Sequence, residues 1–341
     1  MTKFAHFIFI SSFAFIGVAG AGCQSQYPVS QQQTQPVVTI QEKQVPEAQE
    51  ISGQRDFESI KKQKKSPIVA LVLGSGGARG YAHIGVIDVL EKHGIKPDLI
   101  VGTSAGSIVG AIYASGKSAE DLKQIALDLK PNDVRDLTIG LKGFFVGKKV
   151  EDYINENVNN HQLQDLKIPM YVVATELKEG RKTVFNYGNT GQAVRASISI
   201  PSMFVPAKIG SEEYVDGGLV SPVPVETARD LGADIVIAVD ILAQPMYTET
   251  SNVWGLFNQN INIMQKNIAK TELKDADIII RPDLREKNHI FDVKGREQTI
   301  QAGEEAALDQ LNEIFKVFDE KMKFKDNKQA KSENIELVRT Q

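Results

Sequence analysis

Hydrophobic positions along the chain fall into two rhythms. Short apolar runs bounded by glycine, proline or charge read as buried strands: Ile68–Leu73, Leu99–Val101, Met170–Ala174, Thr183–Asn186, Ile235–Val239 and Ile278–Ile280. Between them, helical spacing predicts Tyr81–His93, with Ile84, Val86, Ile87 and Leu90 on one side, and Ser104–Ala114, rich in small residues. Further helices are expected over Gln192–Ser197, Pro224–Leu231, Asn252–Lys270 and Arg296–Phe318. Continuously apolar strands alternating with helices imply an α/β unit: a mainly parallel central sheet covered by helices on both faces. No internal repeat at a solenoid period is present.

The rhythm fails at both ends. Phe4–Gly22 carries no Asp, Glu, Lys or Arg, follows Lys3, and closes on Ala19-Gly20-Ala21-Gly22-Cys23. Charge, then an apolar run, then small residues is the anatomy of an export signal over residues 1–22. Cys directly after Ala-Gly resembles a bacterial lipobox, with Cys23 as the lipid attachment site, although Gly20 stands where Leu is usual. An uncleaved membrane helix is the alternative. The lipobox reading implies a membrane-anchored bacterial lipoprotein, at the outer membrane where one exists, because no Asp follows Cys23. Residues 23–66 are rich in Gln and Pro and poor in large aliphatics, which predicts a disordered tether. It ends in Lys61-Lys62-Gln63-Lys64-Lys65, read as a solvated linker end, with contact to anionic lipid as the sharper alternative. Residues 67–323 then form a single domain and 324–341 a charged tail, expected to fray.

Composition narrows the function. Of 341 residues, 42% are hydrophobic and 24% charged, so a sizeable core can form and collagen-like or coiled-coil chains are excluded. A net charge of −4 gives no reason to expect a nucleic-acid partner. One cysteine makes neither an internal disulfide nor a cysteine metal site, and no acidic loop has calcium-binding spacing. No metal or cofactor is expected.

Three motifs carry chemistry. Gly74-Ser75-Gly76-Gly77-Ala78-Arg79-Gly80 follows the first strand. Its sixth position is Arg79, so the dinucleotide fingerprint fails, and no Gly-Lys-Ser/Thr closes a P-loop. What remains is a turn able to aim several amides at one negative oxygen. Gly102-Thr103-Ser104-Ala105-Gly106 sits between a strand and a helix, where G-x-S-x-G forms a nucleophile elbow. Asp216-Gly217-Gly218 is by itself a turn. A serine needs a base. Of His6, His83, His93, His161 and His289, only His289 follows in the usual hydrolase order, and no motif surrounds it. Asp216 acting directly on Ser104 is therefore a second option.

Together these motifs resemble the patatin-like phospholipase family. The likeness extends through Tyr81-Ala82-His83-Ile84-Gly85-Val86, Arg195–Pro201, Phe204-Val205-Pro206 and Pro222-Val223-Pro224, and covers roughly Pro67 to Asp240. Ser75 replaces a frequent Gly, and Ser221 a frequent Asn. The resemblance implies a patatin-like α/β/α fold and a Ser104–Asp216 dyad. It also implies an oxyanion hole from Gly76, Gly77 and Ala78, with Arg79, and motif glycines Gly74, Gly80, Gly102, Gly106, Gly217 and Gly218. The implied activity is hydrolysis of ester bonds in membrane phospholipids or lysophospholipids. An esterase or thioesterase on soluble acyl compounds, or a silent lipid-binding lipoprotein, are the alternatives. Gly140–Gly147 and the helix around Trp254, Leu256 and Phe257 are candidate covers for acyl chains, or ordinary core.

Overall fold

The computed structural model describes residues 49–50, 64, 66–138, 142–242, 251–284 and 295–339. Cys23 with its export-like segment, Leu141, His289 and the Trp254 side chain lie outside the described residues. Everything described belongs to the compact unit Gln44–Gln341.

Its strands are β1 (Gln49–Glu50), β2 (Val69–Leu73), β3 (Leu99–Thr103), β4 (Met170–Glu176), β5 (Lys182–Tyr187), β6 (Ala207–Ile209), β7 (Glu212–Asp216), β8 (Ile235–Val239) and β9 (Ile278–Ile280). The main helices are α1 (Tyr81–Lys92), α2 (Ala105–Ala114), α3 (Ala119–Asp128), α4 (Lys148–Asn157), α5 (Thr190–Ser197), α6 (Val225–Asp230), α7 (Val253–Glu272) and α8 (Arg296–Arg339).

The expected parallel sheet is its centre, in the order β4-β3-β2-β8-β9. On the β4 side the sheet turns antiparallel: β5 pairs β4, β1 pairs β5, β7 pairs the far end of β4, and β6 pairs β7. The connections explain the change. A few residues separate β4 from β5, and two separate β6 from β7, including Gly210 at φ 60°. Links that short can only return the chain antiparallel.

The two faces of the sheet explain why its central strands are apolar throughout. Val69, Leu71 and Leu73 of β2 pack with Ile235, Ile237 and Val239 into a core completed by α1 to α5 and α8. Ala70 and Val72 pack with Val236 and Ala238 on the other side, under α6 and the end of α7. Leu71 faces Ile100 and Ile237 in register and is 1% exposed. Truncating such a side chain costs about 2–5 kcal/mol.

Three differences from the sequence expectation stand out. Gln49 and Glu50 pair with Tyr187 and Phe185, and Lys64 bonds to Asp98 at 2.5 Å. The tether expectation therefore fails at these three residues. Helix α3 went unread, although Ser118 and Asp121 form a capping box at its start. Helix α8 continues to Arg339 in place of the expected frayed tail. Its Lys, Glu, Gln and Ala are strong helix formers even where charge is dense.

Candidate active site

Ser104 follows the last residue of β3 and precedes the first of α2. Its φ of 51° and ψ of −118° lie where a side chain is strained, at a cost of about 1–3 kcal/mol. Neighbours hold it there. The Ser104 amide donates to Ser197 Oγ at 2.8 Å, and Ser197 Oγ donates to the Val173 carbonyl at 2.5 Å. The Ser104 carbonyl accepts from the Ser107 hydroxyl at 2.7 Å. Gly106 lets the bend close: a Cβ there would lie 2.0 Å from the Leu73 carbonyl oxygen.

Asp216 arrives from a distant part of the chain. Thr103 pairs Val173 of β4, and the next residue of β4, Ala174, pairs Asp216 at the end of antiparallel β7. Because β5 occupies the opposite edge of β4 there, β3 and β7 meet end to end along one edge. The Ser104 hydroxyl donates to Asp216 Oδ2 at 2.6 Å. Asp216 Oδ1 accepts from the Gly218 amide at 2.7 Å, and the Asp216 carbonyl accepts from the Thr175 hydroxyl at 2.8 Å. Burial pushes the Asp216 carboxyl up to about 6, against the lowering effect of its bonds from Ser104 and Gly218. At neutral pH it is a carboxylate poised to take a proton.

The glycine loop lies alongside. Gly74 donates its amide to the Val239 carbonyl at 3.1 Å, and Ser75 to the Pro222 carbonyl at 2.8 Å. Gly77, at φ 59°, opens a short 3-10 turn over Gly77–Gly80. The Gly76, Gly77 and Ala78 amides donate no hydrogen bond among the described residues. Arg79 differs from the expectation that grouped it with them. Its amide serves the turn itself, reaching the Gly76 carbonyl at 3.3 Å, and its buried Nε donates to the Ile241 carbonyl at 2.9 Å. Burial lowers its guanidinium to about 10, opposed by nearby Asp240. Ala105 is an addition. It follows Ser104 at the first turn of α2, where amides lack an intrahelical acceptor, and it lines the same cavity as Gly77 and Ala78.

No histidine among the described residues bonds to this pair. His83 is fully buried beneath the glycine loop, with Nε2 2.9 Å from the Gly74 carbonyl. Burial lowers it to about 4, so the ring is neutral at pH 7 and Nε2–H donates. It props the loop and does not serve as the base. No group of His, Cys, Asp or Glu among the described residues could hold a metal ion.

Two recesses open on Ser104. One is an apolar cavity of about 240 Å³ bounded by α1 to α4, with Ile108, Ile112, Ile125, Phe145 and Phe204 in its wall. Arg296 of α8 closes part of it, stacking over Tyr81 at 5.6 Å. The other is a small recess of about 30 Å³ on the α7 side, where Asp216, Ser75 and Gln265 stand beside Ile200, Leu219 and Ile261; it is called the polar recess for those three side chains. The suggested covers divide between them. In the first, Phe145 faces the cavity while Phe144 is 62% exposed. In the second, α7 brings Asn262 and Gln265 to the polar recess, amides that an apolar pattern could not flag.

A further brace was invisible in the sequence. Glu272, at the end of α7, accepts from the Ser221 hydroxyl and, at 3.0 Å, from the Val223 amide. The Ser221 carbonyl takes the Thr103 hydroxyl at 2.9 Å, and the Pro222 carbonyl takes the Ser75 amide. One carboxylate thereby steadies the segment touching both the elbow and the glycine loop. Burial pushes Glu272 up to about 7.

A strained serine between strand and helix, bonded to a carboxylate beside free loop amides, is the layout of a nucleophile elbow on an α/β sheet. Residues 71–229 match the family model described as Patatin-like phospholipase. The chain is 33% identical over 222 residues to Patatin-like phospholipase domain-containing protein 6 of Homo sapiens, across 61% of this chain and 16% of that protein. It is 37% identical over 179 residues to an uncharacterized NTE family protein of Mycobacterium tuberculosis, across 52% and 49%. It is 32% identical over 218 residues to lysophospholipase NTE1 of Debaryomyces hansenii, across 60% and 14%. The chain thus spans about half the length of the mycobacterial relative and under a fifth of the others. The crystal structure of VipD from Legionella pneumophila is similar at 15% identity and a TM-score of 0.49, over 75% of this chain and 67% of that one.

Proposed function

We propose that the protein is a lipid acyl hydrolase that cleaves carboxylic esters of membrane phospholipids or lysophospholipids through Ser104 and Asp216. The observation that carries this reading is the 2.6 Å bond from the Ser104 hydroxyl to Asp216 at the end of an apolar cavity. Ser104 Oγ attacks the ester carbonyl carbon as its proton passes to Asp216. The amides of Gly76, Gly77, Ala78 and Ala105 are the available donors for the oxygen that becomes negative. Losing one such donor typically costs about 3–4 kcal/mol of transition-state stabilisation. The tetrahedral intermediate collapses, the ester C–O bond breaks, and the proton on Asp216 leaves with the alcohol. Water then cleaves the acyl-serine. The acyl chain extends along the Ile108–Ile112 wall, which suits a methylene chain and offers little to a charged one.

The test is a phospholipid and lysophospholipid panel read by mass spectrometry with wild type and Ser104→Ala. Release of fatty acid by wild type and none by the variant is expected. Release by both ends the reading, and turnover of short soluble esters alone moves it to a general esterase.

The same reading sets the enzyme on a membrane through a lipid at Cys23, delivered to an outer membrane where the cell has one. Its support is the pattern of residues 1–23. No helix among the described residues is long and apolar enough to cross a membrane. Radiolabelled palmitate should enter the protein and fail to enter Cys23→Ala; no label in the wild type removes the anchor.

A further inference from the structure

The polar recess beside Ser104 contains two side chains that the dyad does not use. Ser75 is 4% exposed and Gln265 is 8% exposed, and neither side chain hydrogen-bonds to a protein group among the described residues. Buried polar groups are seldom left in that state without a partner of another kind. Their placement supplies one. A methyl group added at Gly218 would lie 2.4 Å from Gln265 Nε2, 2.8 Å from Asp216 Oδ1 and 2.9 Å from Ser75 Oγ. An amide, a carboxylate and a hydroxyl therefore lie close together beside Gly218, and all three residues line the recess. Asp216 reaches Ser104 through its other oxygen, Oδ2.

We infer that Ser75 and Gln265, together with Asp216, form the binding site of the water that deacylates the enzyme. The inference rests on the dyad proposed above. Once the acyl chain lies in the apolar cavity, it blocks water arriving from that side, where polar groups are few. The recess is suited to water by both size and chemistry. About 30 Å³ holds one or two water molecules and excludes an acyl chain. An ordered buried water typically makes about three hydrogen bonds. The Ser75 hydroxyl can donate or accept, the Gln265 amide offers both kinds of group, and Asp216 accepts. In the step itself the water oxygen bonds to the acyl carbon as its proton passes to Asp216. The bond from the acyl carbon to Ser104 Oγ then breaks, and Ser104 recovers a proton from Asp216. A carboxylic acid and free enzyme result. Ser75 lines the recess, while its amide is already bound to the Pro222 carbonyl.

Stopped-flow hydrolysis of p-nitrophenyl butyrate by full-length Gln265→Met and Ser75→Ala tests this. Both variants should give a burst of p-nitrophenolate approaching one per site, followed by a steady rate at least about tenfold below wild type. Intact-mass spectrometry should show the butyryl enzyme accumulating. Hydroxylamine, which attacks the acyl-serine without needing the water site, should restore turnover. A steady rate within twofold of wild type in both variants overturns the inference. So does a joint loss of burst and steady rate that hydroxylamine does not rescue, because that outcome assigns the pair to acylation or folding. A burst that persists in Ser104→Ala removes the dyad and the inference with it.

Discussion

The two recesses that meet at Ser104 differ in size and in the polar groups they hold. Toward α2, α3 and α4 the wall is Ile, Val, Leu and Phe, and the polar groups there are few. Toward α7 the recess holds Asp216, Ser75 and Gln265, and it has about an eighth of the cavity's volume. The proposed reaction would use both sides of this one serine. An acyl chain needs area without hydrogen bonds, whereas a proton transfer needs fixed partners in a dry, low-dielectric place. Ser104 stands on the boundary because β3 ends there, with the glycine loop on one side and the end of β7 on the other.

The largest loss of activity is expected at the carboxylate. Asp216→Asn keeps the shape of the polar recess and removes its proton acceptor. Turnover of p-nitrophenyl butyrate should fall by about a thousandfold or more, with thermal melting close to wild type. Retained turnover would return the role of base to a histidine, with His289 first in line.

The next effect is on pH dependence. Burial raises Asp216 to about 6, and only the ionised form can accept the serine proton. Protonation on acidification removes the base, so kcat/KM should be flat above neutrality and fall below pH 6, by about 100-fold at pH 4. A profile still flat at pH 4.5 would show that the carboxylate is not the group in control.

The apolar side can be altered independently. Ile108 lines the cavity from α2, and Ile108→Trp would fill space along the chain path. Activity on a dodecanoyl ester should drop by about tenfold relative to a butanoyl ester, measured as a ratio of kcat/KM values. An equal loss on both esters would mean that the cavity does not hold the acyl chain.

The smallest effect is expected at the brace. Glu272→Gln keeps an acceptor for Val223 and a partner for Ser221, so kcat should change no more than about threefold. Glu272→Ala removes both partners and should lower kcat by about tenfold, with little change in KM. Equal behaviour of the two variants would deny the brace a positioning role.

The legibility of these features follows their range along the chain. Central strands β2 and β8 were visible because burial on both faces makes them apolar throughout. The antiparallel β6 was missed: at three residues, with Lys208 exposed between two buried neighbours, it has too little pattern to distinguish it from a loop. The elbow was readable because strand, bend and helix are adjacent in sequence, and glycines mark where backbones nearly touch. Gly217 is another such point, since a Cβ there would lie 2.2 Å from the Val173 carbonyl oxygen. Arg79 was grouped with the free amides because its place in the motif does not reveal that a 3-10 turn consumes its N–H. Gln265 and Glu272 were silent, since a polar residue in a helix is ordinarily a solvated one.

By itself the sequence determined the alternation of strands and helices, the candidate nucleophile, the glycine loop and the candidate acid, because each depends on local spacing and on steric demands written into single residues. Tertiary structure alone decided that Asp216 is bonded to Ser104. They are 112 positions apart, a separation that carries no local signal of that contact. It arises because β4 is long enough to pair β3 along one part of its edge and antiparallel β7 along the next, so that two strand ends meet. The same packing decided which side of the serine is apolar and which is polar, since that depends on which helices cover each side and not on the order in which they are made.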